Sequence, residues 1–80
     1  MPIQTARHIN LRSVLRQLER EGIVGYEEQA QHLGNVTMQR LAAMDHGAPI
    51  DVLFAEHVEW ALHRRRGWMD ELHDHDPLDA

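Results

Sequence analysis

Three kinds of side chain in this sequence could support chemistry: a glutamine–arginine pair, a set of arginines and seven histidines. Gln39 and Arg40 are adjacent in a segment with helical apolar spacing. Glutamine can form two hydrogen bonds with the edge of adenine, and arginine can do so with guanine. Ala42 and Ala43 would allow close approach or contact a thymine methyl group. The segment is a candidate base-reading surface; the alternative is an ordinary helix surface.

The arginines recur at helical spacing earlier in the chain, at Arg12, Arg16 and Arg20. On one face of a helix they would form a stripe able to contact phosphates, with Arg12 and Arg16 the main candidates. The alternative is a solvated helix face partly neutralised by Glu19 and Glu21.

The histidines do not predict a metal centre. His57 and His63 are six residues apart and fall on different faces of a helix. The sequence HDHD at 73–76 could hold a divalent ion only weakly, because a closed site needs three or four preorganised ligands. The chain also lacks cysteine and a glycine-rich phosphate loop, and it has one serine with no evident base. We therefore expect no enzyme activity, no cofactor and no functional metal.

Composition and charge limit the partners. Eighty residues with 42% apolar content suit one domain with a modest core. Residues 1–69 contain eight arginines and eight acids, so the net charge of −5 arises from the acids at 70–79. The absence of lysine argues against tight non-specific DNA binding. We expect a cytoplasmic protein, because the sequence has neither a signal-peptide-like apolar segment near its start nor a run of membrane-spanning length.

The elements that position the candidate residues can be read from caps and periodicity. Asn10 is predicted as the N-cap of a first helix that Gly22 ends. A second helix is predicted from Tyr26 to Leu33, followed by a tight turn at 34–35. Thr37 is predicted to cap a third helix as far as Asp45, with Met38, Gln39, Arg40, Ala42, Ala43 and His46 outward.

The small and apolar residues of the second and third predicted helices indicate that these two helices cross and pack against each other. Ala30 is small where they would cross, and Gly34 permits a sharp turn. The inner faces would be buried by Leu33, Val36, Leu41 and Met44. This pattern is that of a helix-turn-helix, whose second helix can enter the DNA major groove.

A longer helix is predicted from Ile50 to about Arg64, with Trp68 and Met69 folding back to close the core. Leu53 and Trp60 lie seven residues apart outside its main apolar stripe. They suggest a partner surface, for example a homodimer contact; equally, they could cover the edge of a small core. The three arginines at 64–66 fall at the predicted C-terminus of this helix. They are interpreted as cations that complement the helix dipole and pair with the acids that follow.

These residues give the chain a resemblance to the lambda-repressor-like, Cro/repressor-type (XRE-like) helix-turn-helix family. The segment 28–34, EQAQHLG, is similar to the family's E-x-A-x-x-L-G second helix, and Leu41, Met44 and Gly47 suit its third helix. Residues 50–70, ending in GWMD, resemble a phage-associated branch that ends in GWLD. The resemblance implies a compact all-α fold of four to five helices and DNA binding as a transcriptional regulator of phage, prophage or bacterial origin.

The sequence departs from that family in ways that favour a different partner. The turn is one residue longer at Asn35, and Tyr26 stands where a phosphate-contacting glutamine is common. Glu27 and Glu28 would repel a DNA backbone at this helix start. The alternative function is therefore a protein-binding module on the same scaffold, which binds a repressor or RNA polymerase and not DNA.

The expected organisation is an N-terminal arm (1–9), a helix-turn-helix domain (10–70) and an acidic, disordered tail (71–80). Double-stranded DNA is the expected partner, with a homodimer or a transcription protein as further candidates. The expected DNA-binding residues are Thr37, Met38, Gln39, Arg40, Ala43, Arg12 and Arg16, and the expected partner or dimer surface is Leu53 and Trp60.

Overall fold

Four helices and a short 3₁₀ turn make up the described part of the chain. The structure, a computed structural model, describes residues 3–34 and 36–73; most of the predicted acidic tail, 74–80, lies outside these ranges. The described residues contain no strand, in agreement with the predicted all-α class, and no helix among them is long and apolar enough to cross a membrane. The elements are α1 (Ile3–Arg20), α2 (Tyr26–Leu33), α3 (Met38–Asp45), α4 (Val52–Ala61) and the C-terminal turn (Trp68–Asp70).

Helix α1 begins at Ile3 and so includes residues that the sequence assigns to an N-terminal arm. The N-cap prediction for Asn10 is wrong, because Asn10 lies inside α1 and is only 2% exposed. Its side-chain nitrogen donates to the carbonyl oxygens of Trp68, Met69 and Glu71 at 3.2, 2.8 and 2.7 Å. Asparagine is common at N-caps, but here its amide satisfies the backbone of the C-terminal turn.

The predicted end of α1 is confirmed at Gly22, which has a φ of +89°. The amide of Ile23 donates to the carbonyl of Leu18 at 2.8 Å. This is the Schellman arrangement, in which a left-handed residue after the helix closes its last turn.

Helices α2 and α3 are confirmed at their predicted bounds. Thr37 caps α3 as predicted: its hydroxyl oxygen accepts from the backbone N–H of Arg40 at 3.1 Å. The inner faces of the two helices are buried by Ala30, Leu33, Leu41 and Met44, while Val36 is partly buried against them.

Helix α4 is shorter than predicted at both ends. Ile50 is fully buried, as expected for the apolar stripe, but it precedes the helix. Its burial therefore results from tertiary packing of the loop and not from its position on α4. After the helix, His63 adopts a φ of +57°, and the Arg64 amide donates to the Glu59 carbonyl at 2.7 Å. A Schellman arrangement therefore ends α4 at a histidine, where no glycine marks the stop.

Buried polar groups join α1 to the rest of the core. Arg7 is 8% exposed; its guanidinium donates to the Ile50 carbonyl at 2.8 Å and to the Asp70 carboxylate at 2.6 Å. The buried Glu59 carboxylate accepts from the backbone N–H of Met69 at 2.8 Å. Trp68 and Met69 are buried, which confirms that the C-terminal turn closes the core.

The arginines at 64–66 lie beyond α4 and so do not occupy its last turn, contrary to the prediction. Pairing with an acid that follows is confirmed for Arg65, which pairs with Glu71. Arg66 pairs instead with Glu56 of α4, which precedes it in the chain, at 3.0 Å. The hydrogen bond from Arg65 holds the pKa of Glu71 below its usual value. The remaining arginine of the run, at 64, lies over the Trp68 ring, 4.7 Å from its centroid.

Gly34 is expected to be the most demanding position of the turn. Its φ of 78° and ψ of 162° lie in a region used almost only by glycine. A Cβ atom there would also lie 2.9 Å from the Nε2 atom of His57. Gly34→Ala should therefore destabilise the fold by more than the roughly 1–3 kcal/mol of backbone strain alone, as measured by urea unfolding.

Gly25→Ala is the matched control. Gly25 has a similar backbone conformation, φ 89° and ψ 148°, but no atom lies within 4 Å of its Cβ position. Adding His57→Ala should reduce the cost of Gly34→Ala and leave the cost of Gly25→Ala unchanged. Equal costs for the two glycine substitutions would show that the His57 contact has no energetic effect.

Candidate nucleic-acid interface

The outer face of α3 carries the residues that are predicted from the sequence to contact DNA bases. Thr37, Met38, Gln39, Arg40 and Ala43 are all exposed. Helical spacing places Gln39 and Ala43 at the centre of the face opposite the buried Leu41 and Met44, with Met38 and Arg40 at its two sides. The structure thus brings the α3 candidates together on one solvent-exposed helix surface.

Arg40 is held at both of its ends. Its backbone N–H donates to the Thr37 hydroxyl at 3.1 Å, and its guanidinium Nη2 donates to Asp51 Oδ1 at 2.9 Å. The side chains of Arg40 and Asp51 remain 57% and 43% exposed. A single bond to one carboxylate oxygen leaves other donors of the guanidinium available to a ligand.

The start of α2 lies against the end of α3. The Tyr26 hydroxyl donates to the Asp45 carboxylate at 2.6 Å, and the Tyr26 ring meets the His46 ring edge-on with centroids 6.3 Å apart. The N-cap position of α2 is Gly25, which has no side chain to accept from the first amides. Glu27 and Glu28 are exposed in the same turn.

Arg12 and Arg16 lie beside this helix start, although they belong to α1. Both line an open groove of about 410 Å³ that also touches Gly25, Tyr26 and Asp45. Within the described residues neither arginine forms an ion pair. The fold therefore places two cations next to the start of α2, whose first amides no side chain caps, in a groove that also contains carboxylates.

The outer face of α4 carries the predicted partner surface. The residue exposures of Leu53 and Trp60 are 68% and 75%, so neither residue covers the core. The His57 ring lies between them along the helix, with its centroid 5.8 Å from that of Trp60. Leu53 also shares a small groove with Arg40 and Asp51. The α4 face is therefore continuous with one edge of the α3 face.

The described residues contain no group of three or more histidines, cysteines and acids placed to hold a metal. His57 instead contacts Gly34 and Trp60. The sequence HDHD at 73–76 extends beyond the described residues after His73, whose ring stacks on Trp68 at 4.4 Å.

Three contacts of this region are not evident from the sequence. They are Arg40 with Asp51, Tyr26 with Asp45, and His57 with Gly34. Each joins residues eleven or more positions apart, so neither helical periodicity nor a capping motif would identify it. Only the crossing of α2, α3 and α4 brings these groups together.

The pKa of Tyr26 is raised above its usual value of 10.0, first by its hydrogen bond to Asp45 and then by desolvation. Because the neutral phenol is favoured in the folded state, the contribution of this bond to stability is present below about pH 10 and is lost as pH rises through the higher folded pKa. Tyr26 is the single tyrosine, so tyrosinate absorbance reports it alone.

Asp45→Ala should lower the Tyr26 titration midpoint relative to the unchanged protein. Asp45→Asn, which keeps an acceptor but removes the charge, should give an intermediate midpoint. Identical midpoints in all three proteins would show that the Asp45 carboxylate does not interact with the phenol.

Comparison with known proteins adds no family assignment: no family model, no curated protein and no solved structure matches the chain. The lambda-repressor-like resemblance therefore stays a prediction from the residues that carry it.

Proposed function

We propose that the chain is a small DNA-binding transcriptional regulator that reads the major groove with α3. The observation that carries this proposal is the outer face of α3, where Gln39 and Arg40 are exposed beside a small residue, Ala43. An α-helix with its side chains is about 10–12 Å in diameter, which suits the width of the major groove, about 12 Å. The lambda-repressor-like resemblance points to the same role.

The backbone of DNA would contact the start of α2 and the neighbouring part of α1. Arg12 and Arg16 supply cations there, and the uncapped amides of α2 supply further donors. Glu27 and Glu28 oppose a phosphate at the same place. We therefore expect modest affinity that falls with salt, and discrimination between sequences that depends on α3.

Two copies would bind one operator through the outer faces of their α4 helices. Leu53 and Trp60 lie two helical turns apart, so an antiparallel pair of α4 helices would place Leu53 of one copy near Trp60 of its partner. The patch is small, and an interface of this size is expected to form weakly in the absence of DNA.

Arg40→Ala should weaken binding to a selected operator about tenfold or more and relax base preference at one position, since a bidentate arginine contributes about 1–3 kcal/mol of discrimination. The measurement is a titration of labelled duplexes after selection from a random library. NMR shifts of residues 37–43 with random duplex DNA at low salt would map the contact.

Arg65→Ala is the control for loss of one exposed arginine. Arg65 is also paired with a carboxylate and is 64% exposed, but it lies in the connection to the C-terminal turn. It should weaken binding to all sequences slightly and equally. If Arg40→Ala behaved in the same way, α3 would not be the reading helix.

A second candidate is a protein-binding module on the same scaffold. The exposure of Trp60 and Leu53 favours it, because tryptophan is enriched among the residues that dominate binding at protein interfaces. The acids at the start of α2 would then face a basic partner, such as a repressor or RNA polymerase.

Trp60→Ala separates the two candidates. For a DNA reader, it should reduce dimerisation and apparent operator affinity while shifts on residues 37–43 persist in the monomer. For a protein-binding module, it should abolish capture of the partner, and random DNA should cause no shifts even in the unchanged protein. Sedimentation, the DNA titration and a pull-down from bacterial lysate measure these outcomes.

A further inference from the structure

Asp51 stands at the N-cap position of α4, but its carboxylate does not cap the helix. Asp51 precedes α4 with the extended backbone of an N-cap, φ −78° and ψ 162°. An aspartate there normally accepts from an amide of the first turn, but Asp51 forms no side-chain capping bond. Its Oδ1 atom accepts instead from Arg40 Nη2 of α3 at 2.9 Å.

Stability does not account for this arrangement. Both side chains are substantially exposed, and exposed ion pairs contribute little to folding. A capping bond from the same carboxylate would contribute at least as much. The consequence of the pairing is therefore found at Arg40, whose long side chain would otherwise sample many rotamers.

Arg40 is restrained at its backbone by Thr37 and at its guanidinium by Asp51. A guanidinium carries five N–H donors, and the contact with Asp51 uses one nitrogen, Nη2. Donors on the rest of the fork can still pair with two acceptors of one base, and a guanidinium that is already oriented loses less freedom on doing so. The carboxylate also opposes any contact in which Arg40 leaves it for a phosphate.

We propose that Asp51 is a positioning residue for Arg40 and sets how strongly that arginine discriminates between bases. This inference rests on the proposed function, because base discrimination presupposes DNA binding. The alternative effect of Asp51 is simple repulsion, in which its negative charge lowers affinity for every DNA sequence by the same factor.

Asp51→Asn tests the proposal. Asparagine is an equally good N-cap residue, so the fold should be retained, which thermal unfolding verifies. It keeps an acceptor but weakens the hold on Arg40, because a charge-assisted hydrogen bond is about twice as strong as a neutral one. We expect random duplex DNA to bind about threefold more tightly, and discrimination at the base pair read by Arg40 to fall about fivefold. Equal gains on matched and mismatched duplexes would overturn the proposal in favour of repulsion.

Glu71→Gln is the matched control, because Glu71 is also paired with an arginine and its side chain is 44% exposed, against 43% for Asp51. It removes the same charge without touching Arg40 and should leave discrimination unchanged. In an Arg40→Ala background, Asp51→Asn should likewise leave discrimination unchanged. A loss of discrimination in either case would overturn the proposal.

A measurement without DNA tests the positioning role of Asp51 independently of the proposed DNA-binding function. The Nε–H of Arg40 should be more ordered, by its ¹⁵N relaxation, in the unchanged protein than in Asp51→Asn. Equal mobility would overturn the positioning role of Asp51 whether or not the chain binds DNA. If the order differs but the unchanged protein binds no duplex, the hold of Asp51 on Arg40 is supported and the DNA-binding function is rejected.

Discussion

The structure depends on a set of buried polar contacts between α1 and the C-terminal part of the chain. The Arg7 guanidinium joins the backbone at Ile50 to the Asp70 carboxylate, and the Asn10 amide donates to three carbonyls of the C-terminal turn. Every fully buried side-chain nitrogen and oxygen among the described residues has a partner, so burial of these groups does not leave an uncompensated charge or dipole. Because the bonds are directional, they fix α1 and the start of α4 in one register that apolar packing alone would specify less sharply.

Helix α4 and the residue before it contact the α2–α3 pair at two points. His57 lies against Gly34, where an added Cβ atom would be 2.9 Å from its ring, and Asp51 holds Arg40 on α3. The turn and the outer face of α3 are thus supported from the same helix. The exposed Leu53 lies between these two points in sequence and borders the groove of Arg40 and Asp51. A partner bound on α4 would therefore contact the edge of the surface proposed to read DNA.

The sequence predicts the parts of this fold that depend on local signals. Helices α2 and α3 and the Thr37 cap are confirmed because their stops, caps and apolar spacing all lie within a few residues. The start of α1 is missed because asparagine suits both an N-cap and a buried amide, and only tertiary packing selects between them. The end of α4 is missed because a histidine, not a glycine, adopts the left-handed conformation there. The exposed α3 face follows from periodicity, but the partner of Arg40 depends on the crossing of α3 and α4, which no local pattern contains.

If the chain reads DNA as proposed, the distribution of its arginines implies that it relies on few charged contacts. Arg7 is buried in the core network, the arginines at 65 and 66 pair with acids, and the one at 64 covers Trp68. Arg12 and Arg16 remain beside the start of α2, in a groove that also contains carboxylates. Each phosphate neutralised contributes about 0.9 to the slope of log affinity against log salt, so such a chain would show a shallow salt dependence for a DNA-binding protein. Weak attraction to the DNA backbone would leave a larger share of any specific affinity to the outer face of α3, where the proposed restraint of Arg40 would have its greatest effect.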